Sequence, residues 1–436
     1  MKNVVCPWFL TILRRLVDYF YHVFTGKNPR PETVLKITNF IVFGAGMMMA
    51  KLLSIGVQIL MGRAFGPDIY GQITIILLLA SYVALPMVNG WGLAFVKIAA
   101  QTKKKELQLQ ALQSLLILVF IFCTLTVCLL VFIQEPLSHL IDITPEMMKS
   151  TIIVSVFYAW WILGKQIVQG FQDWNKYIAI ENFTSCILLF GISGMVWKGI
   201  TGLESIVYIF CAGYFFSTLI LCKKIIPVFF VQFKRKYFQG ILSHGSILLM
   251  NGLVGVATFS IDRLLINTSL GPKEVGIYQA HFLATYGIIS AFMTILLTYV
   301  FPSFCRDKEN TIHKAMADWN RLQYPATVIV SLIIGAIVLR LYTYPVSWPL
   351  LLTLCLFDAV YFHVQLKIWY IASKGAVESR TTLYAQCVFL MTNIIFLLFL
   401  ISPLGIIAGG ISLLAASLAS LGYLLKMEEK IYARAV

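Results

Sequence analysis

The side chains in this sequence that could do chemistry are charges placed inside long apolar runs: Lys51, Lys165, the adjacent pair Asp262 and Arg263, and Asp358. An ionised group in hydrocarbon costs about 2.5–3.5 kcal/mol on insertion scales, so each needs a partner or a wet cavity. Lys51 sits thirteen residues into the run that begins near residue 38, with Gly44, Ser54 and Gln58 on the same helical face. Two readings fit it: an anion-binding lysine in a water-filled cavity, or one half of an ion pair with a carboxylate on another helix. A longer stripe joins His244, Asn251, Gly255, Thr258 and Asp262, separated by 7, 4, 3 and 4 residues. On one continuous helix these share a face that looks into the protein or bonds a neighbouring helix. Arg263 points about 100° away from Asp262 on such a helix, and both lie near its outer end, where an interfacial role is equally open. Ser155, Tyr158, Lys165, Gln169 and Gln172 form a similar stripe. There Lys165 either lines a cavity or follows the rule that basic residues stay inside. Asp358 is central in its run with Tyr361 and Gln365 on its face, while His363 and Lys367 share another. It either pairs with a cation on a different helix or carries a coupling ion. Glu181 and Lys97 read as interfacial, and Pro86, Asn89, Gly90 and Gly92 mark a kink.

The elements that must position these groups follow from composition. Hydrophobic residues make up 59% of the 436 and charged residues 12%, with a mean hydropathy of +0.84. Soluble domains run near 45–50% and 25%, so no water-soluble core accounts for this chain. At about 20 residues per span it divides into twelve helices, near 38–62, 72–96, 109–133, 150–171, 177–197, 203–222, 241–267, 279–303, 322–343, 348–372, 381–401 and 404–425. Strand-like alternation is absent. Residues 1–35 read as an interfacial N-terminal segment, with Phe9, Leu13, Leu16, Phe20 and Phe24 at helical spacing. The nine cysteines show no Cys-x-x-Cys and no metal-like spacing. The sequence carries no P-loop, Gly-x-Ser-x-Gly, zinc signature or carboxylate cluster, and its longest external loop, about 134–149, is too short for an active site. Neither enzymatic work nor a cofactor is expected.

The net charge of +15 is distributed, not clustered as a nucleic-acid site. With the N-terminus in the cytoplasm, 27 of the 34 Lys and Arg fall on the cytoplasmic side and six outside, and both termini are cytoplasmic. The basic linker 227–240, with Lys234, Arg235 and Lys236, separates residues 36–226 from 241–436, six spans each. An even count makes the halves parallel in the membrane. Gly66-Pro67-x-x-x-Gly71 recurs 205 positions later as Gly271-Pro272-x-x-x-Gly276, each between two apolar runs, so each half starts helix, Gly-Pro turn, helix. The expected fold is an all-α polytopic membrane protein of about twelve transmembrane helices in two six-helix lobes.

Three stretches carry a family resemblance: Gly66-Pro67-x-x-Tyr70-Gly71, Asn89-Gly90-Trp91-Gly92 leading to Lys97, and Asp262-Arg263 before Gly271-Pro272-x-x-x-Gly276-x-Tyr278. In these the chain resembles the polysaccharide transporters of the MATE/oligosaccharide-flippase (MOP) superfamily, and within them the Wzx-type flippases of O-antigen and related repeat units. The resemblance implies a central cavity open alternately to the cytoplasm and the periplasm of a bacterial inner membrane. It also implies an undecaprenyl-pyrophosphate-linked oligosaccharide as cargo. Lys51, Ser54, Gln58, Asn89, Lys165, Asn251, Asp262 and Arg263 are then the candidate cargo contacts, and Asp262 and Asp358 the candidate coupling groups. Glycosyltransferases and the polymerase of the same pathway are partners by analogy. A lipid II flippase shares the pyrophosphate, a drug-efflux relative would show carboxylates where Lys51 stands, and a membrane-bound polymerase or acyltransferase would need larger external loops.

Overall fold

A computed structural model describes residues 31–101, 104–221, 225–293, 311–374 and 376–433. The N-terminal segment expected at the interface therefore lies, up to residue 30, outside the described residues. Every regular element among them is helical. Among the described residues ten helices are long and apolar enough to cross a membrane, the first of which, Ile41–Ala99, holds both of the first two expected spans. Of the eighth expected span, 279–303, the residues up to 293 are described and are helical, and the rest lie outside the described residues.

The first helix, α1 (Pro31–Ala84), runs through Gly66 without a loop, bent where Gly66 takes φ 76° and ψ 171°. Pro67 has no N–H to continue the ladder, and only glycine adopts this backbone at little cost. The repeat unit does the same: after α8 (Ile261–Leu270), Gly271 takes φ 90° and ψ 171° before Pro272 opens α9 (Pro272–Phe282). Repeated residues produce a repeated conformation. The second glycine of each motif has a separate task. A β-carbon on Gly71 would lie 1.7 Å from the Pro272 carbonyl oxygen, and one on Gly276 would lie 2.0 Å from that of Pro67. The two turns press backbone to backbone in a reciprocal contact that any side chain would break.

The kink expected after Pro86 is a π-helical turn, Leu85–Asn89, between α1 and α2 (Gly90–Gln101), with Trp91 Nε1 donating to the Pro86 carbonyl at 2.9 Å. A matching π turn, Leu283–Gly287, follows α9. Next come α3 (Lys105–Ile141), α4 (Pro145–Gly170), α5 (Trp174–Trp197) and α6 (Leu203–Thr218), then α7 (Arg235–Thr258). Four long helices complete the chain: α10 (Thr311–Tyr342), α11 (Trp348–Lys374), α12 (Ala376–Leu404) and α13 (Ile407–Ala433).

Two seams join the sequence halves. At the end of the bundle that carries the Gly-Pro turns, Tyr70 and Tyr342 pair their hydroxyls at 3.2 Å and Tyr344 donates to the Gly62 carbonyl at 2.6 Å. Asn267 Nδ2 there reaches the carbonyls of Ile141 and Asp142, at 3.2 and 3.3 Å. At the opposite end, which carries the interhalf linker, α2 lies on α7: a β-carbon on Gly90 would fall 2.3 Å from the Gly245 carbonyl oxygen, and one on Gly245 would fall 2.5 Å from the Trp91 ring.

Candidate functional site

Between the seams lies a cavity of about 460 Å³ to which both halves contribute, with Gln58, Ser81 and Tyr158 from the first and Ser260, Arg263 and Gln279 from the second. Its shape depends on a break that the helical-face reading of residues 244–262 does not contain. The helix stops at Thr258 and restarts at Ile261. Thr258 Oγ1 donates to the Val254 carbonyl at 2.7 Å and Ser260 Oγ to that of Val256, the back-bonding that bends helices. Ser260 also meets the Tyr82 hydroxyl of the first half at 2.7 Å.

The break re-aims Arg263. Asp262 and Arg263 are not interfacial, being 0% and 6% exposed. Nor do they diverge, since Arg263 Nη1 folds back to Asp262 Oδ1 at 3.6 Å. Arg263 Nη1 also donates to the Phe259 carbonyl left at the break, Nε donates to Gln279 Oε1 at 2.5 Å, and the guanidinium lies 4.2 Å from the Phe282 ring centroid. Asp262 accepts from Tyr278 Oη at 2.5 Å and from the Arg263 backbone N–H at 2.9 Å. Among the described residues nothing accepts from Arg263 Nη2. A fixed guanidinium, stacked on an aromatic ring with one donor group unspent toward a polar cavity, is suited to oxyanions.

Lys51 occupies a different place from the one its helical face implied. It is exposed and lines a second cavity of about 400 Å³, with Met48, Leu52, Ile55, Ile288 and Phe292 among its walls and Gln323 and Thr327 as its other polar lining. This cavity is apolar, and Arg263 is the cation of the polar one. Gln58 does line the polar cavity, whereas Ser54, half-buried, lines neither. Asn89 packs at the linker-end seam, its side chain accepting from Gln166 Nε2 at 3.3 Å and its amide nitrogen against Gly252. The side chain of Asn251 lies outside the described residues.

Lys165 is not an open cavity lysine. It pairs with Glu181 at 3.0 Å and lies 3.3 Å from the Trp161 ring centroid. Helices α4 and α5 are antiparallel neighbours, which no single-helix periodicity reveals. Removing one partner strands the other: Lys165→Met is expected to cost about 1–3 kcal/mol, between exposed and fully buried pairs, and Lys165→Met with Glu181→Leu to cost less. Thermal unfolding in detergent measures both, and a double variant as unstable as the single would show that the pairing is not what the lysine supplies.

Asp358 is 1% exposed, accepts from Ser331 Oγ at 3.0 Å, and leaves Oδ1 without a hydrogen-bond partner. No cation among the described residues lies within ion-pair distance of it. Lys367, nine residues further along the same helix, is spent on Glu428 at 2.5 Å. Among the described residues no cluster of His, Cys, Asp or Glu could hold a metal.

The comparisons with known proteins agree with this architecture. An inward-facing multidrug-resistance MATE transporter of the MOP superfamily superposes with a TM-score of 0.73 at 15% identity, covering 90% of this chain and 98% of its own. The lipid II flippase MurJ, in an inward closed conformation, gives 0.69 at 15% identity over 89% of this chain and 87% of its own. A MOP superfamily transporter from Pyrococcus furiosus, described as having a binding pocket of reverse polarity, gives 0.62 at 14% over 91% and 96%. At these identities the likeness is one of fold. No curated protein matches the sequence. A family profile described as polysaccharide biosynthesis protein matches residues 59–344, from the last turns of the first span through both Gly-Pro turns to Tyr344. On that match the chain belongs to the polysaccharide biosynthesis protein family, and it has the fold of the MOP-superfamily transporters.

Proposed function

We propose that this protein is a flippase carrying an undecaprenyl-pyrophosphate-linked oligosaccharide repeat unit from the cytoplasmic to the periplasmic leaflet of a bacterial inner membrane, by alternating access between two six-helix lobes, 36–226 and 241–436. The observation that carries it is the polar cavity held between two seams, with Arg263 presenting an unspent donor group. Each sugar hydroxyl taken unpaired into hydrocarbon costs several kcal/mol, so the glycan needs such a compartment. Tyr158, Gln58, Ser81 and Gln279 offer the mixed aromatic and amide lining that sugars take. The apolar cavity beside Lys51 suits the other end of the molecule: isoprenoid against Ile55, Ile288 and Phe292, and pyrophosphate at the lysine. The bias of basic residues assigns the linker end to the cytoplasm, so the Gly-Pro seam closes the periplasmic side.

Two negative charges moving outward gain on the order of 4.6 kcal/mol per 100 mV of inside-negative potential, twice the single-charge figure. Asp358 adds a proton-coupling candidate: Asp358→Asn keeps the Ser331 contact and removes the titrating group. At fixed potential its export rate is expected to stay within about twofold, while acceleration by an imposed pH gradient disappears. Persistence of that acceleration would exclude Asp358 as the carrier. A lipid II flippase shares the pyrophosphate logic, and the cargo assay separates the two. In proteoliposomes holding a fluorescent undecaprenyl-pyrophosphate glycan, Lys51→Ala should slow translocation about tenfold, the equivalent of roughly 1.4 kcal/mol. Equal rates for wild type and variant, or equally fast flipping of phosphatidylcholine, would contradict the proposal.

A further inference from the structure

The segment joining the halves is held in place and yet turns apolar surface outward. Residues Ile226–Phe230 form a short 3-10 helix whose Val228 is 2% exposed, packed in a cluster with Tyr237, Phe238 and Ile241. Gln113 Nε2 on α3 donates to the Val231 carbonyl at 3.1 Å and holds the extended segment that follows. On the opposite side Phe229 and Phe230 are 76% and 85% exposed. Lys234, Arg235 and Lys236 come next, all exposed, and α7 starts there without a side-chain cap. Nearby, Lys105 lines a cleft of about 530 Å³ with Gln108, Gln172, Asp173 and Pro227, and both Lys105 and the adjacent Lys104 are exposed. Of the nearby carboxylates, Asp173 pairs with Lys176 at 3.6 Å and Glu106 accepts from Gln110 Nε2 at 3.3 Å.

We infer that this segment is a docking site for anionic phospholipid, the headgroup phosphate held between Lys105 and the Lys234-Arg235-Lys236 run and the acyl chains against Phe229 and Phe230. Two phenylalanines on a rigid turn flanked by basic residues have the composition of an interfacial anchor, and the inner leaflet supplies the complementary negative charge. The site bears on the cycle because α7 begins within it and carries Gly245, whose carbonyl packs on Gly90 at the linker-end seam. The inference uses the cytoplasmic orientation proposed above and is independent of the cargo.

The test is native mass spectrometry of the full-length protein, delipidated in detergent and titrated with phosphatidylglycerol or phosphatidylcholine. One phosphatidylglycerol-selective adduct is expected, with a midpoint at least tenfold below that for phosphatidylcholine. Lys105→Gln with Lys234→Gln, Arg235→Gln and Lys236→Gln should abolish the selectivity, and Lys198→Gln with Lys273→Gln, at the other end, should leave it intact. Phe229→Ser with Phe230→Ser should weaken both lipids while keeping their ratio. Equal midpoints for the two lipids, or full selectivity in the quadruple variant, would overturn the proposal. So would displacement by millimolar inorganic phosphate together with indifference to the phenylalanine change, which would mark a soluble-anion site. Because no transport is measured, failure of the flippase reading leaves this result interpretable.

Discussion

Gly71→Ala is expected to hold the Gly-Pro seam open. Its new β-carbon would stand 1.7 Å from the Pro272 carbonyl oxygen and 2.6 Å from the carbonyl carbon, backbone atoms that no rotamer change can move aside. Overpacking of this kind costs about 1–3 kcal/mol or more, and 3 kcal/mol displaces a two-state equilibrium roughly 100-fold. A cysteine at Ser81, in the polar cavity, should then react with an impermeant maleimide from the periplasmic side at least ten times faster than in the parent, while export falls. Gly276→Ala should act alike, and the two together little more than one, because both open the same reciprocal contact. Gly194→Ala, with nothing within 4 Å of its would-be β-carbon, is the neutral control. Unchanged labelling and normal export in Gly71→Ala would show that the seam is a fixed joint and not a gate.

Arg263→Gln should be the most damaging exchange in the cavity. It removes the cation that lines the polar cavity and strands the fully buried Asp262, a loss of about 3–5 kcal/mol for broken buried pairs. Folding and transport can be told apart by Asp262→Asn with Arg263→Gln, which withdraws both charges and leaves Tyr278 a partner. That double variant is expected to recover most of the thermal stability in detergent yet to export at least 100-fold more slowly than wild type. Export at the wild-type rate would mean that Arg263 serves only its neighbour.

Much of this architecture can be read in the residues before any coordinates. The apolar content forces a helical membrane protein, and Gly66-Pro67 with Gly271-Pro272 predicts two sharp turns because proline ends the ladder and glycine takes the strained backbone. What the spacing does not reveal is that Gly71 and Gly276 face one another, a tertiary fact between residues 205 positions apart. The cavity was legible in part. Gln58 belongs to it, but Lys51 on the same face opens into a neighbouring apolar space, since one helix in a bundle touches several environments along its length. Asp262 and Arg263 stood out as charges, but their burial follows from the break at Phe259 and Ser260, which has no proline or glycine of its own and arises from hydroxyl groups bonding back to carbonyls. The Lys165 and Glu181 pair joins two helices and leaves no periodic trace. Ser81 and Gln279 are ordinary polar residues until both halves are assembled around them.

The most direct test of the central claim is a deletion strain assayed for surface polysaccharide and for lipid-linked repeat units, complemented with wild type or with Asp262→Asn and Arg263→Gln together. The account predicts that deletion abolishes the surface glycan and accumulates undecaprenyl-pyrophosphate-linked repeat units on the cytoplasmic side. Wild type should reverse both effects, and the double variant neither, at equal protein level. Unchanged surface glycan with no accumulated lipid-linked units, accompanied by raised sensitivity to cationic drugs, would contradict it and move the protein to the efflux branch of the superfamily.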